Sequence, residues 1–255
     1  MIDIHCHILP AVDDGADDMA ETVEMCRLSL EEGVTGVFAT PHLFNGMFAT
    51  ERDSILAAYD KVTSTLTSQS IPLKLYVGSD LHLTPETLDQ LKNGDALTLN
   101  GGRYFLLEPS FRLLPPNLSE TVFAILSEGF VPIITHPERN DQFLRREGRL
   151  LELLNLGALC QITAMSLTGE FGEACQSFSR RLMEAGAVHF IASDAHSAGW
   201  RRPGMEAARE MAEESIGTDA ARKLVLDHPQ AVISDLPIET AVVTHLPRRR
   251  KFWFF

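Results

Sequence analysis

The sequence predicts an α/β fold in which parallel strands alternate with helices, either closed into a barrel or opened into a doubly wound sheet. Short apolar runs bounded by turn residues alternate with longer amphipathic segments along nearly the whole chain. Glycines stand just past four of the helical segments, where C-cap glycines belong, at Gly33, Gly129, Gly157 and Gly186. The 255 residues, 45% of them apolar, suffice for one barrel-sized domain.

Seven short segments are predicted to be strands because each is rich in apolar, β-branched or aromatic residues and bounded by turn residues. In chain order they are Ile2–His5, Gly36–Thr40, Leu73–Leu81, Tyr104–Glu108, Val131–His136, Leu159–Thr163 and His189–Asp194. The segments between and after them have the apolar spacing of amphipathic helices. These predicted helices are Met19–Glu32, Glu51–Leu66, Pro85–Leu91, Leu118–Glu128, Asp141–Leu156, Glu170–Ala185, Gly204–Glu214 and Asp219–Leu226.

One domain followed by a short tail is the simplest organisation of this chain. The sequence contains no internal repeat, low-complexity tract or Ser/Gly-rich linker that would divide it. We predict one domain over residues 1–243 and a tail over residues 244–255. In the tail, Arg248-Arg249-Arg250-Lys251 precedes four aromatic residues, in contrast to the acidic body. The tail is either a solvated end or a segment that docks on an anionic membrane surface or an acidic partner.

Charge and composition exclude several classes of protein. The 22 basic and 35 acidic residues give a formal net charge of −13, which argues against nucleic-acid binding because that depends on basic side chains. The four cysteines are scattered and form no CxxC pair, so no disulfide scaffold or structural zinc site is indicated. No signal-peptide pattern begins the chain, and no apolar stretch approaches the roughly 20 residues that cross a bilayer. We therefore expect a cytoplasmic protein.

Histidine and acidic residues collect at the C-terminal ends of the predicted strands. Along the chain these residues are His5, His7, His42, Asp80, Glu108, His136, Asp194 and His196. In parallel α/β folds these strand ends converge on one face, where active sites are built. Residues from distant parts of the sequence are therefore expected to meet in one site. His82 is ambiguous, since it shares a strand side with Asp80.

The spacing of these residues indicates metal ligands. In an extended chain, both imidazoles of His5-Cys6-His7 lie on one side and the thiol on the other, and Asp194-Ala195-His196 repeats this geometry. Nitrogen and oxygen ligands without thiolate favour manganese, iron or zinc. The number of ligands allows two or three ions, with Glu108 as the bridging carboxylate. Any one of these residues alone could be a satisfied polar group at a strand end, but the joint pattern favours a metal site.

Two arginines are expected on the same face of the fold. Arg139 follows His136 by three residues, and Arg201 follows Asp194 by seven. A guanidinium can bind phosphate oxygens through two parallel hydrogen bonds. The alternative is that each arginine pairs with a neighbouring acid such as Glu138. Beside a metal centre, the phosphate interpretation is favoured.

A second motif, at Cys175, predicts a different chemistry that the surrounding residues do not support. Cys175 and Arg181 have the C-x5-R spacing of cysteine-dependent phosphatases. That chemistry needs a Gly-rich loop to bind phosphate and lower the thiol pKa, and this stretch has no glycine. Phe171, Cys175, Phe178 and Leu182 recur instead as the apolar stripe of a helix, which predicts a core thiol.

Several motifs together resemble the polymerase and histidinol phosphatase (PHP) superfamily. They are Ile2-Asp3-Ile4-His5-Cys6-His7, Asp13-Asp14-Gly15, Ala39-Thr40-Pro41-His42, Leu107-Glu108, Thr135-His136-Pro137-Glu138-Arg139 and Ala192-Ser193-Asp194-Ala195-His196. Within that superfamily, the sequence resembles the manganese-dependent protein-tyrosine phosphatases that bacteria encode with capsular or exopolysaccharide synthesis genes. The likeness covers nearly the whole chain, including the basic and aromatic tail.

The resemblance implies a distorted, TIM-like (β/α)7 barrel, the PHP fold, with two to three divalent metal ions, manganese first and iron or zinc as alternatives. It also implies hydrolysis of phosphotyrosine on a partner tyrosine kinase. The implied metal ligands are His5, His7, Asp14, His42, Asp80, Glu108, His136, Asp194 and His196. Arg139 and Arg201 are implied to contact phosphate, and Asp14 is either a ligand or a loop acid. His42 or a metal-bound water is the candidate general acid.

The sequence departs from the family pattern at two places. Asp80 stands where this branch usually has glutamate, so we expect its shorter arm to bind one metal more loosely or through water. Leu43-Phe44-Asn45 supplies no positive charge where some relatives have one. Three other functions stay open: a small-molecule phosphatase such as histidinol phosphatase, a metal-dependent amidohydrolase, and a non-catalytic module that docks on a kinase.

Overall fold

A computed structural model describes residues 1–247 of the chain, in which parallel strands alternate with helices. The strands are β1 (Ile2–Cys6), β2 (Gly36–Ala39), β3 (His42–Leu43), β4 (Lys74–Val77), β5 (Asp80–His82), β6 (Tyr104–Glu108), β7 (Val131–Thr135), β8 (Leu159–Thr163) and β9 (Phe190–Ala192). The α-helices are α1 (Met19–Glu31), α2 (Arg52–Ser68), α3 (Thr87–Asn93), α4 (Leu118–Ser127), α5 (Asp141–Arg145), α6 (Gly148–Leu156), α7 (Ala164–Thr168), α8 (Glu173–Glu184), α9 (Met205–Ile216), α10 (Thr218–Arg222) and α11 (His228–Ile233).

The strands form two parallel sheets, with the strand orders β1-β2-β4 and β3-β5-β6-β7-β8-β9. β3 and β5 follow β2 and β4 after two residues each, so the second sheet takes over where the first ends. The ring closes between β9 and β1, where the Asp194 N–H donates to the His5 carbonyl (2.8 Å) and the His7 N–H to the Ala195 carbonyl (2.8 Å). The result is a distorted barrel with seven strand positions, which confirms the predicted fold class.

The prediction of one continuous strand over Leu73–Leu81 is wrong. The chain bends at Gly78 and Ser79, between β4 and β5. A Cβ at Gly78 would lie 2.6 Å from Leu99 Cδ2, so a larger residue here would displace the buried Leu99 side chain. The Ser79 hydroxyl donates to the Leu97 carbonyl over 2.9 Å and holds the bend. The interruption comes from contacts with a distant segment, which local strand propensity does not report.

Two predicted helices are also interrupted, and two helices, α7 and α11, were not predicted. The helix expected over Asp141–Leu156 is split into α5 and α6, because Arg146 leaves the helical region (φ −136°, ψ 68°). The segment expected over Asp219–Leu226 is α10 followed by a π-helical turn, Lys223–Asp227, which leads into α11. The short helix α7 directly follows β8 and has too few residues for a recognisable period.

The interior face of the barrel changes character along the strands. Near the N-terminal ends, a buried apolar cluster fills the barrel, and it includes Leu106, Ile133 and Leu159. Two residues further along β6 and β8, on the same face, the side chains are Glu108 and Gln161. The apolar layer therefore closes one end of the barrel, and polar groups occupy the C-terminal ends of the strands.

The end of the predicted domain and the first residues of the tail lie against the barrel helices. Asn155 on α6 donates to the Val243 carbonyl and accepts from the Val243 N–H, both over 3.0 Å. Leu246 is buried, and the Arg181 guanidinium donates to the Pro247 carbonyl over 2.6 Å. The basic and aromatic part of the tail, residues 248–255, lies outside the described residues. Within residues 1–247, no helix has the length and apolar character that a membrane span requires.

Candidate metal centre

The nine predicted metal ligands lie at one end of the barrel, at or just beyond the C-terminal ends of the strands. All are buried except His42, which is half-buried, and Asp14, whose side chain is 45% exposed. The ligand atoms of seven of them form three groups, each within 4.8 Å: His7, Asp14, His42 and His196; His5, His7 and Asp80; and His42, Asp80 and Glu108. Residues separated by up to 191 positions in the chain therefore share one small volume.

His5 and His7 form the middle of this centre. Their Nε2 atoms are 3.1 Å apart, and Asp194 Oδ1 lies 3.5 Å from each of them. Asp80 Oδ2 lies 3.6 Å from His5 Nε2 on the other side. The intervening Cys6 points away, with its Sγ 3.7 Å from the Ala195 carbonyl. The alternation along β1 thus places nitrogen and oxygen atoms, without sulfur, around one point.

His42 and Glu108 connect the centre to its open side. His42 Nδ1 lies 3.4 Å from Asp80 Oδ2 and 3.5 Å from Glu108 Oε2, while its Nε2 lies 3.7 Å from Asp14. Glu108 Oε1 lies 3.7 Å from His136 Nε2, and Glu108 Oε2 lies 3.2 Å from His82 Nδ1, so this carboxylate faces three imidazoles. His196 Nε2 is 3.4 Å from Asp14. Asp14 therefore points into the cluster rather than into solvent alone.

Residues outside the predicted set orient the imidazoles. Asp13 Oδ2 accepts from His7 Nδ1 (2.7 Å) and from the His42 N–H (2.8 Å), which aims His7 Nε2 at the centre. Gln161 Oε1 lies 3.0 Å from His5 Nδ1 and does the same for His5. Carboxylates and carbonyl groups that hold the second ring nitrogen are typical of metal-binding histidines. The sequence signalled Asp13 only as part of a motif, and it gave no signal for Gln161.

Two of the predicted ligands have unusual backbone conformations. His136 has φ 32° and Asp194 has φ 50°, both in the left-handed region that non-glycine residues rarely adopt. Each lies directly after or near the end of its strand, where the change of direction turns the side chain toward the cluster. Backbone strain of this kind is concentrated at functional sites.

Burial and charged neighbours shift the pKa values of the cluster in different directions. Burial lowers the pKa of His7, but Asp13 outweighs burial and raises the pKa of His7 to about 10. Burial also opposes ionisation of Asp80 and Asp194, yet neighbouring positive groups outweigh it and hold the pKa of each carboxyl below its ordinary value. Burial lowers the pKa of His196 to about 4, which leaves the neutral imidazole that binds metals.

The residues present therefore fit divalent metal ions. Within residues 1–247, three buried polar atoms of the cluster have no hydrogen-bond partner: His42 Nδ1, Asp80 Oδ2 and His196 Nε2. Buried polar atoms are almost always paired, so such orphans in one cluster indicate a missing partner. Their imidazole and carboxylate chemistry suits manganese, iron or zinc.

Both predicted phosphate-binding arginines lie beside the cluster, and both contact Asp194. Arg139 Nη1 is 2.6 Å and Arg201 Nη2 is 2.7 Å from Asp194 Oδ2. The acid partner considered from sequence, Glu138, is buried elsewhere and accepts from the Thr163 N–H. The arginines thus meet at one carboxylate oxygen and line the cavity in front of the centre.

That cavity has a volume of about 550 Å³ and carries aromatic side chains that the sequence did not indicate. Phe48 lies parallel to the His42 ring at a centroid distance of 5.9 Å, and Phe111 lies parallel to the His136 ring at 5.3 Å. Arg139 is held over the Phe111 ring. The histidine left open from sequence, His82, also lines the cavity.

The alternative cysteine motif lies in helix α8. Cys175 is half-buried there and is not the core thiol that was predicted. Burial and the nearby Glu138 raise the pKa of the Cys175 thiol, although Arg139 opposes them. Because thiolate chemistry needs a lowered pKa, this environment disfavours a nucleophilic role.

The fold and the site define the class of protein: a parallel α/β barrel with histidine and carboxylate side chains grouped at the C-terminal ends of its strands. At the level of the fold, the chain is similar to a TatD-like protein from Archaeoglobus fulgidus, with TM-score 0.52 and 15% identity over 91% of this chain and 99% of that one. Residues 1–234 match the family described as "Capsular polysaccharide synthesis, CpsB/CapC", and the chain belongs to this family.

Individual relatives cover nearly the whole chain. The tyrosine-protein phosphatase YwqE of Bacillus subtilis is 35% identical over 255 residues, which is 100% of both chains. The tyrosine-protein phosphatase CpsB of Streptococcus pneumoniae is 31% identical over 92% of this chain and 99% of that one. A crystal structure described with "YwqE from Bacillus subtilis and CpsB from Streptococcus pneumoniae, unique metal-dependent tyrosine phosphatases" matches with TM-score 0.93 and 34% identity, over 97% of this chain and 100% of that one.

Proposed function

We propose that this protein is a metal-dependent protein-tyrosine phosphatase. The observation that carries the proposal is the position of Arg139 and Arg201, which meet at Asp194 between the metal centre and an aromatic cavity. This arrangement combines sites for a cation, a phosphate and an aromatic ring. The names of the relatives, tyrosine-protein phosphatases at 31% and 35% identity, support the same activity.

Two to three divalent ions, manganese first and iron or zinc as alternatives, would be held by the nine ligands. His5, His7, Asp14, His42, Asp80, Glu108, His136, Asp194 and His196 supply the nitrogen and oxygen atoms. Such ions, when bound, supply Lewis-acid activation of water and of phosphate oxygens. Because both nitrogens of His42 face carboxylates of the cluster, its position supports a ligand role over that of a general acid.

The arginines neutralise the transferring phosphoryl group. Asp194 holds both guanidiniums at fixed positions, and the stacking of Arg139 between Phe111 (5.0 Å) and Phe171 (4.5 Å) restricts its motion. Because the guanidinium is already in position, little reorganisation energy is needed when charge develops on the phosphate oxygens. Arg201 Nε is buried without a hydrogen-bond partner among residues 1–247, which leaves a donor for such an oxygen.

The aromatic cavity holds the phenyl ring of the substrate. Phe48 stacks on the His42 ring and Phe111 stacks on the His136 ring, and both phenylalanines line the same cavity. Offset or edge contacts between aromatic rings add to the burial of apolar area. The phenol that leaves has a pKa near 10, so it needs less protonation than an alkyl alcohol. Both features favour phosphotyrosine over phosphoserine.

The expected substrate is phosphotyrosine on a tyrosine kinase of capsular or exopolysaccharide synthesis. The family to which the chain belongs supports the polysaccharide context. A cytoplasmic location and docking through the tail, residues 244–255, on the kinase or on a membrane belong to the same proposal. Deletion of residues 248–255 followed by liposome and kinase binding assays tests the docking, and unchanged binding in both assays contradicts it.

The activity is tested by comparing substrates on one preparation. Initial rates are measured with a phosphotyrosine peptide, its phosphoserine counterpart and histidinol phosphate, after chelation and after addition of manganese or zinc. We expect a metal-restored rate that is selective for phosphotyrosine. Turnover of histidinol phosphate alone would support the small-molecule alternative, and no turnover of any phosphate ester would support a non-catalytic binding module.

A further inference from the structure

A second cavity, of about 360 Å³, opens beside the aromatic one. It is lined by Arg112, Asp141, Gln142, Arg145 and Arg146, and we call it the arginine groove. Arg112 also lines the catalytic cavity, so the two cavities share a wall. The two cavities are therefore neighbours on the protein surface.

The charge of the arginine groove is opposite to that of the whole chain. Three guanidiniums and one carboxylate line it, whereas the chain carries a net charge of −13. Arg112, Arg145 and Arg146 are exposed, and within residues 1–247 none of them lies within 4.0 Å of a carboxylate oxygen. Some exposed arginines elsewhere do have acid partners, as Arg222 has in Asp227 over 3.1 Å, but the groove gathers three that are unpaired in the described chain around one cavity.

Hydrogen bonds fix the residues of the arginine groove relative to the catalytic cavity. The loop that follows β6 is bound to the start of α5 at successive residues: Asn140 Nδ2 donates to the Ser110 carbonyl (2.7 Å), and the Asp141 N–H to the Phe111 carbonyl (2.9 Å). Gln142 Nε2 donates to the carbonyl of Arg112 itself, over 3.1 Å. These bonds tie the arginine groove to the loop that carries Phe111 of the catalytic cavity.

Hydrogen bonds distinguish the guanidinium of Arg149, which is held within the protein, from those of Arg145 and Arg146, which line the groove. Arg149 Nη1 donates to Gln142 Oε1 (2.9 Å) and its Nη2 to the Pro115 carbonyl (2.7 Å), so this guanidinium is committed to the structure. The guanidiniums of Arg145 and Arg146 make no hydrogen bond within residues 1–247. They are available to a ligand.

We infer that the arginine groove binds acidic side chains of the substrate polypeptide, carboxylates or a second phosphate, within a few residues of the phosphotyrosine. The inference rests on the proposed function and adds to it a preference for the flanking sequence. Guanidiniums bind carboxylate and phosphate through matched pairs of N–H donors. An extended peptide advances about 3.3 Å per residue, so about four residues bridge adjacent cavities of this size.

The test compares matched phosphotyrosine peptides that differ only in their flanks. One has neutral flanks, one has three glutamates on the N-terminal side, one has them on the C-terminal side, and one carries a second phosphotyrosine. The enzymes are the unaltered protein, the double variant R145Q/R146Q, the conservative R145K/R146K, and a control, R27Q/R222Q. The control removes the same number of exposed charges from α1 and α10.

We expect kcat/KM for at least one acidic peptide to exceed that for the neutral peptide by about tenfold at low salt, and the ratio to fall with added salt. R145Q/R146Q should reduce the ratio below about twofold, mainly through KM. R145K/R146K should keep part of it, because the charge remains while the paired donors are lost, and R27Q/R222Q should keep nearly all of it. A merely structural role of these residues would lower turnover of all peptides equally and leave the ratio intact.

Three results would overturn the inference. The first is equal kcat/KM for neutral and acidic peptides with the unaltered protein, and the second is the same ratio in R145Q/R146Q. The third combines unchanged kcat/KM ratios with weaker binding of R145Q/R146Q to vesicles of anionic lipid. That result would make the groove a membrane contact. Failure of the proposed function is a separate result, because then the neutral peptide would also not be hydrolysed.

Discussion

Replacement of Asp13 by asparagine is expected to weaken metal binding without removing a ligand. The buried Asp13 carboxylate accepts three hydrogen bonds: from His7 Nδ1 (2.7 Å) and the His42 N–H (2.8 Å) at Oδ2, and from the Gly15 N–H (3.0 Å) at Oδ1. An asparagine amide has one oxygen, so its NH2 group must face at least one of these donors. The variant also removes the negative charge that stabilises His7.

The magnitude follows from the role of such residues at metal sites. Loss of a group that orients a metal-binding histidine costs about 10- to 100-fold in metal affinity, or about 1.4–2.7 kcal/mol. We expect Asp13→Asn to fall in this range, because two ligands, His7 and His42, both depend on the carboxylate. Activity at saturating metal should fall much less, since the ligand set is intact.

The assay is a manganese titration of chelated protein with phosphotyrosine peptide turnover as the signal. The expected result is a 10- to 100-fold higher half-activating concentration, on the order of the cost of an orienting residue. Asp17→Asn is the control, since Asp17 is exposed and its replacement removes the same charge from the same loop. An unchanged half-activating concentration in Asp13→Asn, or an equal shift in Asp17→Asn, would refute the reasoning.

Three further predictions concern phosphate binding, the aromatic cavity and acid stability. Arg139→Lys should lower kcat/KM by about 100-fold, because a single ammonium cannot bind Asp194 and also supply paired donors to the phosphate; a fall below about threefold contradicts it. Phe111→Leu should raise KM for phosphotyrosine several-fold and leave phosphoserine turnover unchanged; equal effects on both substrates contradict the aromatic contact. Burial and His228 lower the pKa of His189 to about 4, so the folded state binds fewer protons than the unfolded state between pH 6.5 and 4. Stability is then lost as pH falls through this range, by up to about 3 kcal/mol. His189→Asn, whose carbonyl can accept the Cys160 N–H, should flatten the dependence of Tm on pH there, and an unchanged slope would contradict it.

Most of the fold could be predicted from the strand pattern, because each strand is short, apolar and bounded by turn residues. The pattern predicted that eight His and acidic residues would meet at the C-terminal ends, and the structure brings them together there. Asp14, expected only from the family resemblance, joins them. The bend at Gly78 was missed since it depends on Leu99, twenty-one positions away. Periodicity describes a segment by itself, whereas this bend is decided by what packs against it.

The residues that support the site were harder to predict than the ligands. Gln161 lies in the middle of β8 and acts through a hydrogen bond to His5, 156 positions away in the chain. Phe111 and Phe171 are ordinary apolar residues in the sequence, and only the fold places them on either side of Arg139. The pairing of both arginines with Asp194 instead of Glu138 also depends on the closure of the barrel. Long-range contacts of this kind leave no local pattern.

The central claim is that bound divalent metal is required for phosphotyrosine hydrolysis at this cluster. The most direct measurement determines metal content by elemental analysis and the phosphotyrosine rate on the same aliquots, as manganese is titrated into chelated protein. The account predicts no rate without metal and a rate that rises with occupancy of the two to three sites. A rate that persists in protein stripped of metal would contradict it.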